Sequence, residues 1–174
     1  MTTRKKLGYI VITLLLISGF AVYRWSYPTP ESVLADFYAS SEITGRAEDM
    51  LMDPLILHAD RVTPLVIREV ERPDMPRRRY AIGFLGQTGA REALPLLHRI
   101  LTNSQEQDYF RADALKAIYY IDPPDGKRLA YDHSAATNFL GYVAKMIVDG
   151  APRISDRRTY WHIGRHLLDI TINT

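Results

Sequence analysis

Apolar residues return every three or four positions along most of this chain, and helix-stopping residues punctuate them at helix-length intervals. Glu31 to Tyr38 places Val33, Leu34 and Phe37 on one side of a first helix, which Ser40, Ser41, Thr44 and Gly45 end. Arg46 to Met52 predicts a short second helix, stopped before Pro54. Asp60 or Thr63 can cap a helix carrying Pro64 to Val70. Pro73 and Pro76 separate it from the next, which runs to about Leu85 and closes on Gly86-Gln87-Thr88-Gly89. Helices are then expected from about Arg91 to Thr102 and from near Asp108 to Ile121. Asp122-Pro123-Pro124-Asp125-Gly126 reads as a stop before a short segment, Lys127 to Tyr131. Ser134 is placed to cap a helix over Ala135 to Val148, with Phe139, Leu140, Val143, Ile147 and Val148 apolar. Gly150 to Pro152 ends it. Ser155 or Asp156 opens a last helix whose apolar side is Tyr160, Ile163, Leu167, Leu168 and Ile170. No alternating strand pattern of useful length occurs, so the expected class is all-α.

Within this pattern one unit recurs. Arg78-Arg79-Tyr80-Ala81-Ile82-Gly83-Phe84-Leu85 and Arg111-Ala112-Asp113-Ala114-Leu115-Lys116-Ala117-Ile118 both read Arg-x-x-Ala-x-x-x-aliphatic. Upstream of each lies a second matching pair, Pro64 to Val70 and Pro95 to Leu101. Two helix-length units repeating in the same order indicate a short α-solenoid of helical hairpins, each burying its apolar side on its neighbours.

The unit resembles the HEAT repeat, in particular the HEAT-like repeats of phycobilisome-lyase proteins. Arg78, Ala81, Leu85, Gly86 and Gly89 carry the likeness, with Ala93 to Leu97, Arg111, Ala114, Leu115, Ala117 and Ile118. It covers about Asp60 to Ile121, and the flanking helices fit it poorly, as terminal caps would. The resemblance implies a curved, right-handed stack of paired helices used as an interaction surface. It carries over no lyase chemistry, because no bilin-handling motif can be placed here.

The N-terminus changes the picture of location. Residues 7 to 23 carry no charge, Arg4, Lys5 and Lys6 precede them, and Arg24 follows. At 1.5 Å per residue the run spans roughly 25 Å, a little under a hydrocarbon core of about 30 Å. Tyr9, Tyr23, Trp25 and Tyr27 suit the two interfaces, and the basic bias favours a cytoplasmic N-terminus with the rest outside. Residues 1–27 are therefore expected to be a transmembrane signal-anchor, with Pro28-Thr29-Pro30 as spacer to a domain at 28–174. A cleaved signal peptide is the competing reading, with Gly19-Phe20-Ala21 as its small-x-small site. Both place the domain outside the bacterial inner membrane, in the periplasm. The chain has no cysteine, which excludes disulfides and thiol chemistry.

Charge then excludes a class of partner. Removing Arg4, Lys5, Lys6 and Arg24 from 22 basic residues leaves 18 against 20 acidic ones, a formal −2 for the exported part. Nucleic-acid binding draws on a strongly basic face, so none is expected.

Candidate chemistry is sparse. Arg77-Arg78-Arg79-Tyr80 is the densest basic cluster in the exported part. Arg77 and Arg79 are suited to clamp an acidic peptide or phosphate with Tyr80 as anchor. The plainer alternative is a solvated first turn, with Arg78 alone structural because Arg111 occupies its repeat position. Of the aromatic residues in the middle, Phe110 and Tyr119 are expected inward, leaving Tyr109 and Tyr120 as contact residues. His162, His166 and Asp169 share a helical face, but no glutamate adjoins the first histidine and no fourth ligand is evident, so no metal is expected. Asp132-His133-Ser134 has triad residue types, yet consecutive residues cannot converge as a triad. The chain thus reads as a membrane-tethered, non-catalytic adaptor for an envelope protein, binding through Arg77, Arg79, Tyr80, Tyr109 and Tyr120 and needing no cofactor. Alternatives are a metal-dependent accessory enzyme built on the last helix, and a structural or immunity subunit of an envelope complex.

Overall fold

A computed structural model describes residues 13–19, 28–39 and 51–150. Among them every regular element is helical. The helices are α1 (Pro30–Ala39), α2 (Asp53–Leu57), α3 (Ala59–Val70), α4 (Arg78–Thr88), α5 (Leu94–Thr102), α6 (Asp108–Ile121), α7 (Pro123–His133) and α8 (Phe139–Val148), with a 3-10 turn at Arg91–Ala93 before α5. The helices forecast at 155–170 and over 46–50 lie outside the described residues, as do His162, His166 and Asp169.

Of the run at 7–23, only 13–19 is described: it is helical, and Leu14, Leu15, Leu16 and Ile17 are 59–69% exposed. Among the described residues no helix is long and apolar enough to cross a membrane. The rest of the forecast span lies outside them.

Three hairpins, α3–α4, α5–α6 and α7–α8, pack side by side, and their second helices α4, α6 and α8 form a continuous layer. α6 sits at the centre, touching α4, α5, α7 and α8, and seven of its fourteen residues are buried. α1 closes one end by packing on α2 and α3. One cluster of buried side chains, from Val33 in α1 to Ile147 in α8, runs through all of it. The matched segments behave alike. Ala81 and Ala114 are fully buried, as are Leu85 and Ile118. Arg78 Nε donates to the Val70 carbonyl at 2.8 Å, and Arg111 Nε donates to the Leu101 carbonyl at 2.9 Å. In each hairpin this arginine satisfies a carbonyl at the C-terminal end of the preceding helix, where no intrahelical donor remains.

Several expected boundaries are corrected, and each correction has a local cause. Gly86 does not cap α4 but lies inside it, buried; the helix ends at Gly89, whose φ is 68°. A Cβ on Gly86 would come within 2.7 Å of Ala117 Cα, so the glycine is there for close approach of α4 to α6. Pro54 lies in the first turn of α2, and most of the helix expected to stop before it lies outside the described residues. α6 does end at Ile121, before Pro123-Pro124 as expected, but these prolines then start α7, because first-turn N–H groups have no intrahelical partner to lose. Asp122 accepts from the Asp125 amide at 3.3 Å and caps that helix. α3 begins at Ala59, ahead of the expected caps, and Thr63 is interior, donating to the Ala59 carbonyl at 2.6 Å.

Ser134 does not cap α8 either, and the helix starts four residues later than expected. Asn138 caps it, accepting from the Gly141 amide at 3.0 Å, and Asp108 of α6 accepts from the Leu140 amide at 3.0 Å. A carboxylate from another helix thus meets the positive end of the α8 dipole.

Candidate functional site

The turn between α3 and α4 must deliver three consecutive arginines after Pro76. Arg77 does so with φ 57° and ψ 30°, a left-handed conformation that non-glycine residues adopt at a cost of about 1–2 kcal/mol. Its Nη1 donates to the Phe37 carbonyl of α1 at 2.6 Å, and the guanidinium lies 5.7 Å from the Phe37 ring centroid. Arg78 is almost fully buried, bonded to the Val70 carbonyl and to Glu106 at 2.8 Å each, and 4.8 Å over the Phe110 ring. Arg79 reaches α6 and binds Asp113 through both carboxylate oxygens, at 2.7 and 3.2 Å. It also lies 5.4 Å from the Tyr109 ring and 6.0 Å from Phe139 of α8. The three guanidinium groups thus lie over rings of α1, α6 and α8, and one turn ties α1, α3, α6 and α8 together.

At this turn lies a cavity of about 580 Å³ lined by Met75, Arg77, Arg78, Arg79, Tyr80, Asp108, Tyr109, Phe110 and Phe139. Four of the five contact residues expected from sequence, Arg77, Arg79, Tyr80 and Tyr109, meet there. Tyr120 does not. It sits eleven residues further along α6, about 16 Å by helical rise. There it lines a recess of about 80 Å³ with Gly83, Gln87 and Lys116, whose Nζ is 5.7 Å from its ring. Asp113 lines that recess too, so the Arg79–Asp113 pair stands between the two depressions.

Neither a solvated first turn nor an open cation pair describes the arginines. Arg77 is half-buried and committed to α1, whereas the Arg79 side chain is 51% exposed but already paired. The Asp113 hydrogen bond holds Arg79 above its ordinary pKa, keeping it charged throughout the accessible range. An incoming anion would have to displace Asp113 before using both ends of this guanidinium. The groove presents mainly ring faces and one half-exposed cation.

Tyr119 is buried and Phe110 is half-buried against the core, as the helical spacing requires. Phe139, one of the apolar positions of its helix, is 44% exposed on the groove rim. Met75, Asp108 and Phe139 were missed as groove residues because they come from the loop after α3, from α6 and from α8, and Asp113, the partner of Arg79, was missed with them. Only the Asp113 spacing, thirty-four residues from Arg79 and close to the repeat period, was a readable signal. Among the described residues no group of three or more His, Asp or Glu side chains is gathered to hold a metal ion.

The left-handed arginine makes a measurable prediction. Arg77→Gly and Arg77→Ala both lose the bond to Phe37, but only glycine relieves the backbone. Arg77→Gly should unfold at higher denaturant than Arg77→Ala, by about 1 kcal/mol. Equal midpoints would show that the φ value carries no strain.

A scan against protein-family models, a search of the curated proteins and a search of the solved structures each found no match to this chain.

Proposed function

We propose that this chain is a HEAT-like interaction scaffold, non-catalytic and tethered to the bacterial inner membrane by residues 7–23, whose periplasmic domain grips an envelope protein. The observation that carries the reading is the groove at Arg79, Tyr80, Tyr109 and Phe139. Half-buried Tyr80 and Tyr109 and exposed Phe139 around one arginine are the side-chain types that dominate binding energy at protein interfaces. The repeated arginine-to-carbonyl bond in successive hairpins supports the solenoid part of the reading. The uncharged run between Lys6 and Arg24 supports the tether. Tethering raises local concentration near membrane partners, so a modest intrinsic affinity suffices.

A photo-reactive residue placed at Tyr109 in the full-length chain, in its native membranes, should give one discrete adduct. The same residue at Arg68, exposed on α3, should give none. Arg79→Ala should cut the Tyr109 adduct about tenfold, as expected of an interface anchor. Because the Arg79–Asp113 pair is half exposed, that variant should lose no more than about 1 kcal/mol of stability. Adducts as frequent from Arg68, or a yield unchanged by Arg79→Ala, would overturn the reading.

A further inference from the structure

Two stripes of residues line the seam between α4 and α6. Arg79, Gly83 and Gln87 of α4 stand four residues apart, and Tyr109, Asp113, Lys116 and Tyr120 of α6 stand four, three and four apart. The Arg79–Asp113 bonds join the stripes at one level, and the close approach of Gly86 to Ala117 joins the helices at another. The aromatic groove and the Tyr120 recess are therefore two ends of one face.

Gly83 lies in the middle of that face, and packing does not account for its being glycine. A Cβ on Gly86, Gly126 or Gly141 would run into backbone atoms. On Gly83 it would meet only Met52 Sδ, at an ordinary 3.5 Å. Glycine inside a helix is less favourable than alanine, so the fold alone would be served better by a side chain. What the missing side chain leaves is the wall of the recess, and a bare helix surface is where another backbone can approach closely.

The two ends differ in charge. Each groove arginine is bonded within the fold, so that end offers chiefly rings. In the recess Asp113 is held by Arg79 through both oxygens, whereas Lys116 is exposed and, among the described residues, pairs with no carboxylate. The ammonium of Lys116 is the charge left over there. The recess, of about 80 Å³, is too small for a helix about 10 Å across but takes a main chain. An extended chain covers the roughly 16 Å of helical rise from Tyr109 to Tyr120 in about five residues.

We propose that an extended segment of the partner protein lies along this seam, with an apolar side chain in the groove, its main chain over Gly83, and a carboxylate on Lys116 about five residues away. The proposal rests on the groove being the partner's site, and it adds the partner's conformation, spacing and charge.

Photo-reactive residues at Tyr109 and at Tyr120 of the full-length chain, in its native membranes, should each give an adduct with the same partner. Sequencing the cross-linked peptides should place the two attachment points about four to six residues apart. Gly83→Leu fills the recess, and Lys116→Glu sets a carboxylate against the incoming one. Each should cut both adducts about tenfold while shifting Tm by no more than about 3 °C. If Gly83→Leu does not fold, Lys116→Glu carries the test. Attachment points about eleven residues apart would mean a helix laid along α6, and overturn the proposal. So would a second copy of this chain as the partner. A discrete Tyr109 adduct with none at Tyr120, or one that Lys116→Glu leaves unchanged, would overturn the proposal and leave the groove reading standing. No discrete adduct at Tyr109 overturns both.

Discussion

Gly126→Ala should lose about 3 kcal/mol of folding stability, and lower Tm by about 10 °C, although the substitution adds helix propensity. In a helix interior alanine is favoured over glycine by roughly 1 kcal/mol. Here the added Cβ would run into the Tyr119 Cα and lie 2.7 Å from the Tyr119 Cβ and backbone nitrogen. Those atoms belong to the backbone and branch point of the central helix α6, so no side-chain rotation clears them. α7 and α6 must part, and the core between them opens. The same substitution at Gly83 of α4 should do the reverse. Its Cβ would meet only Met52 Sδ, at an ordinary 3.5 Å, so Gly83→Ala should be neutral or more stable by up to about 1 kcal/mol. Opposite signs for one chemical change in two helices of one protein are readily measured by denaturant midpoints. A Gly126→Ala protein as stable as the parent would mean that α6 and α7 are not packed this closely.

Arg78→Ala should be equally costly, by about 3–5 kcal/mol, for an electrostatic reason. The side chains of Arg78 and Glu106 are 3% and 13% exposed, so removing the arginine strands a carboxylate that water barely reaches. It also frees the Val70 carbonyl and uncovers the Phe110 ring. Arg111→Ala loses the corresponding carbonyl bond to Leu101 in a less enclosed setting, and should cost about 2 kcal/mol. Arg78→Met/Glu106→Gln should recover a large part of the Arg78→Ala loss, because neither an unpaired charge nor a void remains. If Arg111→Ala proves the more damaging, or the double variant recovers nothing, the ion pair is not what separates the two repeat positions.

These two cases mark where local pattern stops informing. The identical Arg-x-x-Ala spacing foretold that Arg78 and Arg111 do the same job, and both do bond a preceding helix end. What distinguishes them is Glu106, which enters from the loop after α5. Gly86 was legible as a special position, but as a cap; its real constraint is Ala117, thirty-one residues away. Pro123-Pro124 follows the end of α6, as the pattern indicated, but the same prolines also open α7, which the pattern did not show. A third hairpin, α7–α8, was hidden by that double role.

The candidate groove follows the same division. Arg77, Arg79, Tyr80 and Tyr109 were recognisable as charged and aromatic residues at the starts of two repeat-related helices. Their convergence needed the α4–α6 contact, and the pairing of Arg79 with Asp113 showed that the cation is internally balanced. Phe139 joined them because α8 begins late, held by Asp108, a placement unrelated to its own helical periodicity.

By itself the order of residues determined that the chain is helical, where most helices lie, and that one unit with arginine and alanine in fixed places occurs twice. Those properties depend on neighbours within a turn or two, which periodicity records faithfully. Tertiary structure alone decided which carboxylate each arginine meets, which glycines are spacers, and which aromatic faces stay outside. Each of those is set by distances between helices, and such distances emerge only when all the apolar faces are packed at once.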